Sequence, residues 1–313
     1  MNNDHLQLGK TEITITPMGL GTMQWGDIDI HHRDDHKIDS TVSEIYKTTL
    51  NAGINFFDTA EIYGNGRSEI HLGKCLEQIN GQVIIATKFM PFPWRLAKNQ
   101  LRLALMRSLK RLGLDHVDLY QVHWPFPPVP IKTWMDEMAD VYADGLIRGV
   151  GVSNYSPTQT RIAYEALAKY NIPLASNQVK YSLLDRRPEN NGLVNLCQQL
   201  GITIIAYSPL EKGILTGKYT PDHLPAGFRS WRYNKVFISK ITPLMDSLIK
   251  IGKAHNDKTP AQVALNWLIC KGAVPIPGAR DQKQALDNAG GFGWQMSDEE
   301  ISQLNVTSRN VPI

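Results

Sequence analysis

Residues 147–181 read IRGVGVSNYSPTQTRIAYEALAKYNIPLASNQVKY, a strand, a helix and a second strand in sequence. IRGVGVSN (147–154) is a short apolar run with β-branched residues, the pattern of a strand buried on both faces. Ser156 followed by Pro157 supplies an N-cap and a first-turn proline, and SPTQTRIAYEALAKY then carries apolar residues at helical spacing. ASNQVKY (175–181) is a second buried run. Two such strands joined through a helix pair in parallel.

The unit recurs on both sides. ITPMGLGTM (15–23), INFFDTA (54–60), VIIATKF (83–89), VDLYQVHW (117–124), TIIAYSPL (203–210) and AVPIPGA (273–279) bring the strand candidates to eight. Between them lie amphipathic helical segments, among them those starting at Ser40, Ala97 and Thr259, and Thr259-Pro260 repeats the cap-proline pair. Gly53, Gly113 and Gly201 stand where helices should stop. Eight units of one type, with no linker between halves, predict an α/β fold: a single (β/α)8 TIM barrel domain over 1–313. LQLGKTEIT (6–14) predicts an N-terminal β-hairpin plug, with Gly9 and Lys10 at its turn, closing one end. The hairpin and a long segment at 211–240 account for a chain longer than the usual barrel.

Hydrophobic residues make up 42% and charged residues 20%, which excludes a disordered or fibrous chain. With 33 basic against 30 acidic side chains the net charge is only +3, so neither nucleic acid nor an anionic membrane is an expected partner. Cys75, Cys197 and Cys270 are odd in number and far apart, which encodes neither a disulfide framework nor a zinc site. The opening MNNDHLQLGK has no apolar core of a signal peptide and no apolar run is long enough to span a membrane; the expected address is the cytoplasm. HHRDDH (31–36) has metal-capable side chains but the arrangement of a solvated loop, so no metal is expected. Arg102, Arg107, Lys110 and Arg111 fit the solvated face of a helix. The dinucleotide-binding fingerprint of a doubly wound fold is absent: GLGTMQWG fails at Gln24 and GNGRSE at Glu69.

Active residues of such barrels sit at the C-terminal strand ends and in the loops that follow. There DTAEIYG places Asp58 and Tyr63, ATKF places Lys88 and QVHW places His123. Singly these read as a helix cap, a rim residue, a solvated strand end and a core histidine. Jointly they require pairing, because a buried Asp and a buried Lys each cost too much alone. An ammonium beside a phenol stabilises the phenolate, and a carboxylate holds the ammonium in place. That predicts Tyr63 as general acid with its pKa lowered by Lys88, Asp58 as the anchor of Lys88, and His123 as a hydrogen-bond donor or proton relay at the same oxygen. A Schiff-base role for Lys88 in an aldolase is the rival chemistry.

DTAEIYG, ATKF, VDLYQVHW and GVSN, in this order and spacing along nearly the whole chain, resemble the aldo-keto reductase superfamily. The resemblance implies NADPH-dependent reduction of a small-molecule aldehyde or ketone, with Asp58, Tyr63, Lys88 and His123 as catalytic residues and NADH as a weaker alternative cofactor. It implies that Ser153, Asn154 and Gln178 hold the carboxamide, that Tyr207 stacks on the nicotinamide, and that Ser208, Pro209 and Leu210 follow it in the site. EKGILTGKY resembles the loop over the pyrophosphate, which assigns Gly213, Leu215, Gly217 and Lys218 as contacts. After the last strand, Arg280 beside a helix N-terminus is the expected partner of a 2′-phosphate, with Gly278, Gln284, Asp287 and Asn288 completing the adenosine end. A Lys-Ser pair and a later Arg of the best-known mammalian branch are replaced here by Gly278, Ala279 and Gln284, so the pattern is closer to bacterial and plant reductases and to potassium-channel β-subunits. The latter likeness keeps open a cofactor-sensing binding subunit with slow turnover.

Met23, Trp25, Phe92, Trp94 and Trp124 follow strand ends and are the expected substrate pocket, one that favours apolar or aromatic carbonyls. The segment 211–240 is expected to cover cofactor or substrate, and the short tail SRNVPI to leave specificity broad. The oligomeric state has no sequence signal.

Overall fold

Short strands β1 (Leu6–Gln7) and β2 (Thr14–Ile15) pair antiparallel in the computed structural model, which describes residues 5–26, 35–79, 81–227, 229–309 and 311. A second sheet is parallel throughout. Its strands are β3 (Gly19–Gly21), β4 (Phe56–Asp58), β5 (Ile84–Phe89), β6 (Val117–Val122), β7 (Ile147–Ser153), β8 (Leu174–Lys180), β9 (Thr203–Tyr207) and β10 (Ala273–Pro275), each beside its chain neighbour. The two edges meet where Gly21 N donates to Pro277 O at 3.1 Å beside a parallel bridge from Gly21 to Gly278, leaving the barrel nearly closed. All eight strand candidates lie in this sheet in chain order.

The helices are α1 (Asp35–Asn51), α2 (Arg67–Gln78), α3 (Gln100–Leu112), α4 (Ile131–Ala143), α5 (Pro157–Ala168), α6 (Arg187–Asn190), α7 (Leu193–Leu200), α8 (Arg229–Arg232), α9 (Lys235–Ala254), α10 (Pro260–Cys270), α11 (Gln282–Ala289) and α12 (Asp298–Arg309). Their boundaries follow local chemistry. Ser156 and Thr259 each cap with their side chains while Gln159 and Gln262 reach back to the cap amide, a reciprocal arrangement worth about 1 kcal/mol per helix. Gly113 and Gly201 end α3 and α7 in the left-handed conformation. Two starts differ from expectation: α1 begins at Asp35 rather than Ser40, and α3 begins at Gln100 because Asn99 turns left-handed before it.

The hairpin plugs the N-terminal end. Leu8, Ile13 and Ile15 from it pack with Phe56, Ala86, Leu119, Ala175, Ile205, Val274 and Ile276 in one inner cluster, while a larger cluster fills the space between sheet and helices. Gly9 (φ +60°) donates to Thr203 Oγ1 at 2.8 Å and lies so close to β8 that a methyl there would sit 2.5 Å from Ala175 O. Toward the opposite end the buried residues turn polar, with Asp58, Lys88, Gln121, Ser153 and Gln178 nearly free of solvent contact. That polar layer is the floor of the candidate site.

The expected cover at 211–240 is shorter than anticipated, since α9 already begins at Lys235 with Asn234 capping it. Among the described residues no helix is long and apolar enough to cross a membrane, and no group of three or more metal-capable side chains converges. The cluster at 31–36 lies outside the described side chains. Cys75 and Cys197 are buried, and burial pushes both thiols up to about 12, where they are unreactive.

Candidate active site

Asp58 ends β4 and Lys88 lies near the end of β5, so both side chains enter the barrel at its C-terminal mouth. Lys88 Nζ donates to Asp58 Oδ2 at 2.5 Å, to Thr59 O at 2.8 Å and to Tyr63 Oη at 3.2 Å, using all three ammonium protons. Asp58 Oδ1 accepts from Gln178 Nε2 at 2.8 Å and Gln121 Nε2 at 3.1 Å. The buried charge pair is therefore fully hydrogen-bonded, the condition under which such a pair is tolerated. His123 follows β6, and its ring meets Tyr63 edge-on with centroids 5.8 Å apart.

The Tyr63 loop is fixed by two devices. Thr22, Thr59 and Ser68 share buried hydroxyl hydrogen bonds, with Ser68 Oγ donating to Thr22 O at 2.8 Å. Beyond them, Gly26 and Gly64 touch backbone to backbone, and Arg67 Nε and Nη2 donate to Gly26 O at 3.2 and 3.1 Å. No side chain fits between the two loops.

Electrostatics correct one expectation. Burial raises the pKa of Tyr63 and outweighs the lowering by Lys88, so the phenol is held protonated rather than eased toward phenolate. For Lys88, burial pulls the pKa down, but Asp58 and Tyr63 together leave it above the ordinary lysine value. His123 is lowered to about 3 by burial and by the Lys88 charge. It is a neutral imidazole near pH 7, able to offer a hydrogen bond but carrying no acidic proton for a relay; its buried Nδ1 has no hydrogen-bond partner among the described residues.

Several residues expected to hold a cofactor form one network. Asn154 (φ 62°) donates through Nδ2 to His123 O at 3.1 Å and Ser153 Oγ at 3.0 Å, and its Oδ1 accepts from Tyr207 Oη at 2.9 Å. Ser153 Oγ donates to Gln178 O at 2.9 Å. The amide nitrogen of Gln178 turns inward to Asp58 and Gln121, so it is engaged at the floor. The turn after β9 holds Ser208 and Lys212 at φ 52° and 55° and brings Gly213 against Lys218. Pro209 and Leu215 are buried and Leu210 packs against the core, so the Leu215 side chain is packing and only its backbone can face a ligand.

At the last strand Arg280 is exposed and its backbone donates to Gln284 Oε1 at 3.2 Å. The α11 N-terminus differs from expectation: Asp281 caps it, accepting from Gln284 N at 2.8 Å, which places a carboxylate where an anion was to bind. Asp287 is likewise engaged, accepting from Thr259 Oγ1 at 3.0 Å and Gln262 Nε2 at 3.1 Å, and Asn288 Nδ2 donates to Gly278 O at 3.2 Å. Arg280, and Lys283 in the first turn of α11, are exposed basic side chains at this corner.

The aromatic rim is partly assembled. Phe92 stacks on Trp94 at 4.6 Å and Trp124 on Phe126 at 5.6 Å, while Met23 and Trp94 are 57% and 73% exposed. Trp25 does not join them: it is wholly buried in the outer core. Gln121 was missed by sequence reasoning, although a glutamine inside the buried run VDLYQV was its signal. The ion pair of Glu61 with Arg95 and the contacts of Glu211 with Lys180 and Tyr233 left no local signal.

Comparison with known proteins extends this picture. The model of the Aldo/keto reductase family matches residues 17–308. The chloroplastic pyridoxal reductase of Arabidopsis thaliana is 38% identical over 313 residues, covering 96% of this chain and 85% of the relative. A thermostable aldo-keto reductase, Tm1743, solved with the inhibitor epalrestat, superposes with TM-score 0.77 at 32% identity over 97% of this chain and 99% of that one. An aldo/keto reductase from Klebsiella pneumoniae solved with NADP and acetate superposes with TM-score 0.78 at 25% identity over 99% and 96%.

Proposed function

This chain belongs to the aldo/keto reductase family, and on that premise we propose that it reduces an aldehyde or ketone with NADPH, Tyr63 delivering the proton. The observation that carries the reading is the chain of bonds from Asp58 through Lys88 to Tyr63 at the barrel mouth. When bound, the reduced nicotinamide supplies hydride to the carbonyl carbon. The residues present suit that group: an amide, hydroxyl and phenol linked at Asn154, Ser153 and Tyr207, a turn bearing Gly213 and Lys218, and exposed Arg280.

Tyr63 is protonated near neutrality because burial raises its pKa, and its O–H proton passes to the carbonyl oxygen as the carbon is reduced. Negative charge then develops on the tyrosine oxygen 3.2 Å from Lys88 Nζ. The ammonium is already positioned by Asp58 and Thr59, so its stabilisation costs no reorganisation at that moment. Solvent returns the proton to Tyr63 after release. In this reading neutral His123 serves as a hydrogen-bond donor to the carbonyl oxygen.

Arg280 supports NADPH over NADH, with NADH a weaker alternative. Phe92, Trp94 and Trp124 support an aromatic carbonyl, and the 38% identical relative is named a pyridoxal reductase. One domain over the whole chain and a cytoplasmic address remain parts of the proposal. The test is NADPH and NADH oxidation by the purified protein against aliphatic aldehydes, aromatic aldehydes, pyridoxal, sugars and α-dicarbonyls. NADPH-dependent loss of an aromatic aldehyde is expected; no turnover with any carbonyl would overturn the reading.

A further inference from the structure

Glu61 lies on the same loop as Tyr63, two residues before it, and its side chain turns to the segment after β5. Its Oε1 accepts from Met90 N at 2.7 Å and Arg95 Nη1 at 2.6 Å, and its Oε2 from Arg95 Nη2 at 3.0 Å. Both side chains are shielded, Glu61 to 9% and Arg95 to 14% exposure. Arg95 Nη1 also donates to Met90 O at 2.9 Å, so both backbone groups of Met90, two residues past Lys88, are held by one ion pair. The guanidinium stacks over the rings of Phe89 at 4.9 Å and Phe92 at 5.4 Å, and Phe92 stacks on exposed Trp94. The segment is short, and Phe92 O accepts from Arg95 N at 2.9 Å.

We propose that Glu61 is a positioning residue for substrate specificity: with Arg95 it holds the Phe92-Trp94 pair as one wall of the substrate entrance, locked to the loop that presents Tyr63. The proposal rests on the carbonyl-reductase reading above. A two-pronged Arg-carboxylate contact fixes orientation as well as distance, and stacking on two rings carries that orientation to the wall. An exposed tryptophan held flat at the C-terminal barrel end offers a planar surface to a planar ligand. Glu61 thereby acts through Arg95 and favours aromatic over small aliphatic carbonyls, without touching the reacting atoms.

The test uses Glu61→Gln and the milder Arg95→Lys, which keeps the charge and loses the fork. Benzaldehyde KM should rise five-fold or more in both variants, while propanal KM and both kcat values stay within two-fold. Independently of turnover, 5-fluorotryptophan protein should show the fluorine resonance of Trp94, assigned by its loss in Trp94→Phe, shifted in both variants, with that of buried Trp267 unmoved. An equal KM rise for both aldehydes, or an unmoved Trp94 resonance, overturns the proposal. If the wild-type protein reduces no carbonyl of the wider panel the reductase reading fails, and the fluorine spectrum still decides whether Glu61 holds the wall.

Discussion

Lys88 donates to Asp58 across 2.5 Å with both side chains shut off from solvent, 0% and 2% exposed. Such a pair is costly to bury and more costly to break, because the survivor keeps an uncompensated charge. Lys88→Met and Asp58→Asn should each lose about 3–5 kcal/mol in urea denaturation. The double variant should lose clearly less than the sum, and strict additivity would contradict the coupling.

Tyr63→Phe removes one hydroxyl that bonds Lys88 and leaves the ring against His123. kcat/KM for carbonyl reduction should fall by at least ~10²-fold, the scale of a lost general acid. NADPH affinity, followed by protein fluorescence, should stay within two-fold. Retained turnover would remove Tyr63 from its role.

His123 titrates at about 3 in the fold against an ordinary 6.5. Between those values the unfolded chain binds a proton that the folded chain refuses, so stability falls as pH drops from 6.5 toward 3. From pH 6.5 to pH 5 the wild type should lose about 2 kcal/mol more than His123→Gln in urea melts at each pH. Parallel losses in the two proteins would show that His123 is not held neutral.

A methyl on Gly64 would stand 2.4 Å from Gly26 O at a residue with φ +57°. Both obstacles are backbone, so neither can rotate away. Gly64→Ala should cost about 2 kcal/mol and displace Tyr63, lowering kcat/KM well beyond the loss of folded protein. Unchanged kinetics in the folded fraction would refute the interlock.

Arg280 is exposed beside α11, whose N-terminus is already capped by Asp281. In the proposed site the preference for a 2′-phosphate at that corner is assigned to the Arg280 side chain, with exposed Lys283 in the first turn of the helix as its neighbour. Arg280→Ala should weaken NADPH binding roughly ten-fold, the worth of one charge-assisted hydrogen bond, and NADH binding less than two-fold. Equal losses would end the assignment.

Strand and helix order was legible because each unit carries its own signals: an apolar run, a cap such as Ser156 or Thr259, a stop such as Gly113. Asp58, Lys88 and His123 were legible as polar residues ending buried strands, and Tyr63 by its place in the following loop. Trp25 shows the limit, since position after a strand says nothing about which way a ring turns, and here it turns into the core.

The sequence alone determined the barrel and the residue types at its mouth, because periodicity, capping and turn preference act over a few neighbouring residues. Only the tertiary structure decided which charges meet: Gln178 reaching Asp58, Glu61 gripping Arg95, Asp281 occupying the end of α11. It also decided the direction of the Tyr63 pKa, since desolvation depends on everything packed around the hydroxyl and not on the lysine beside it alone.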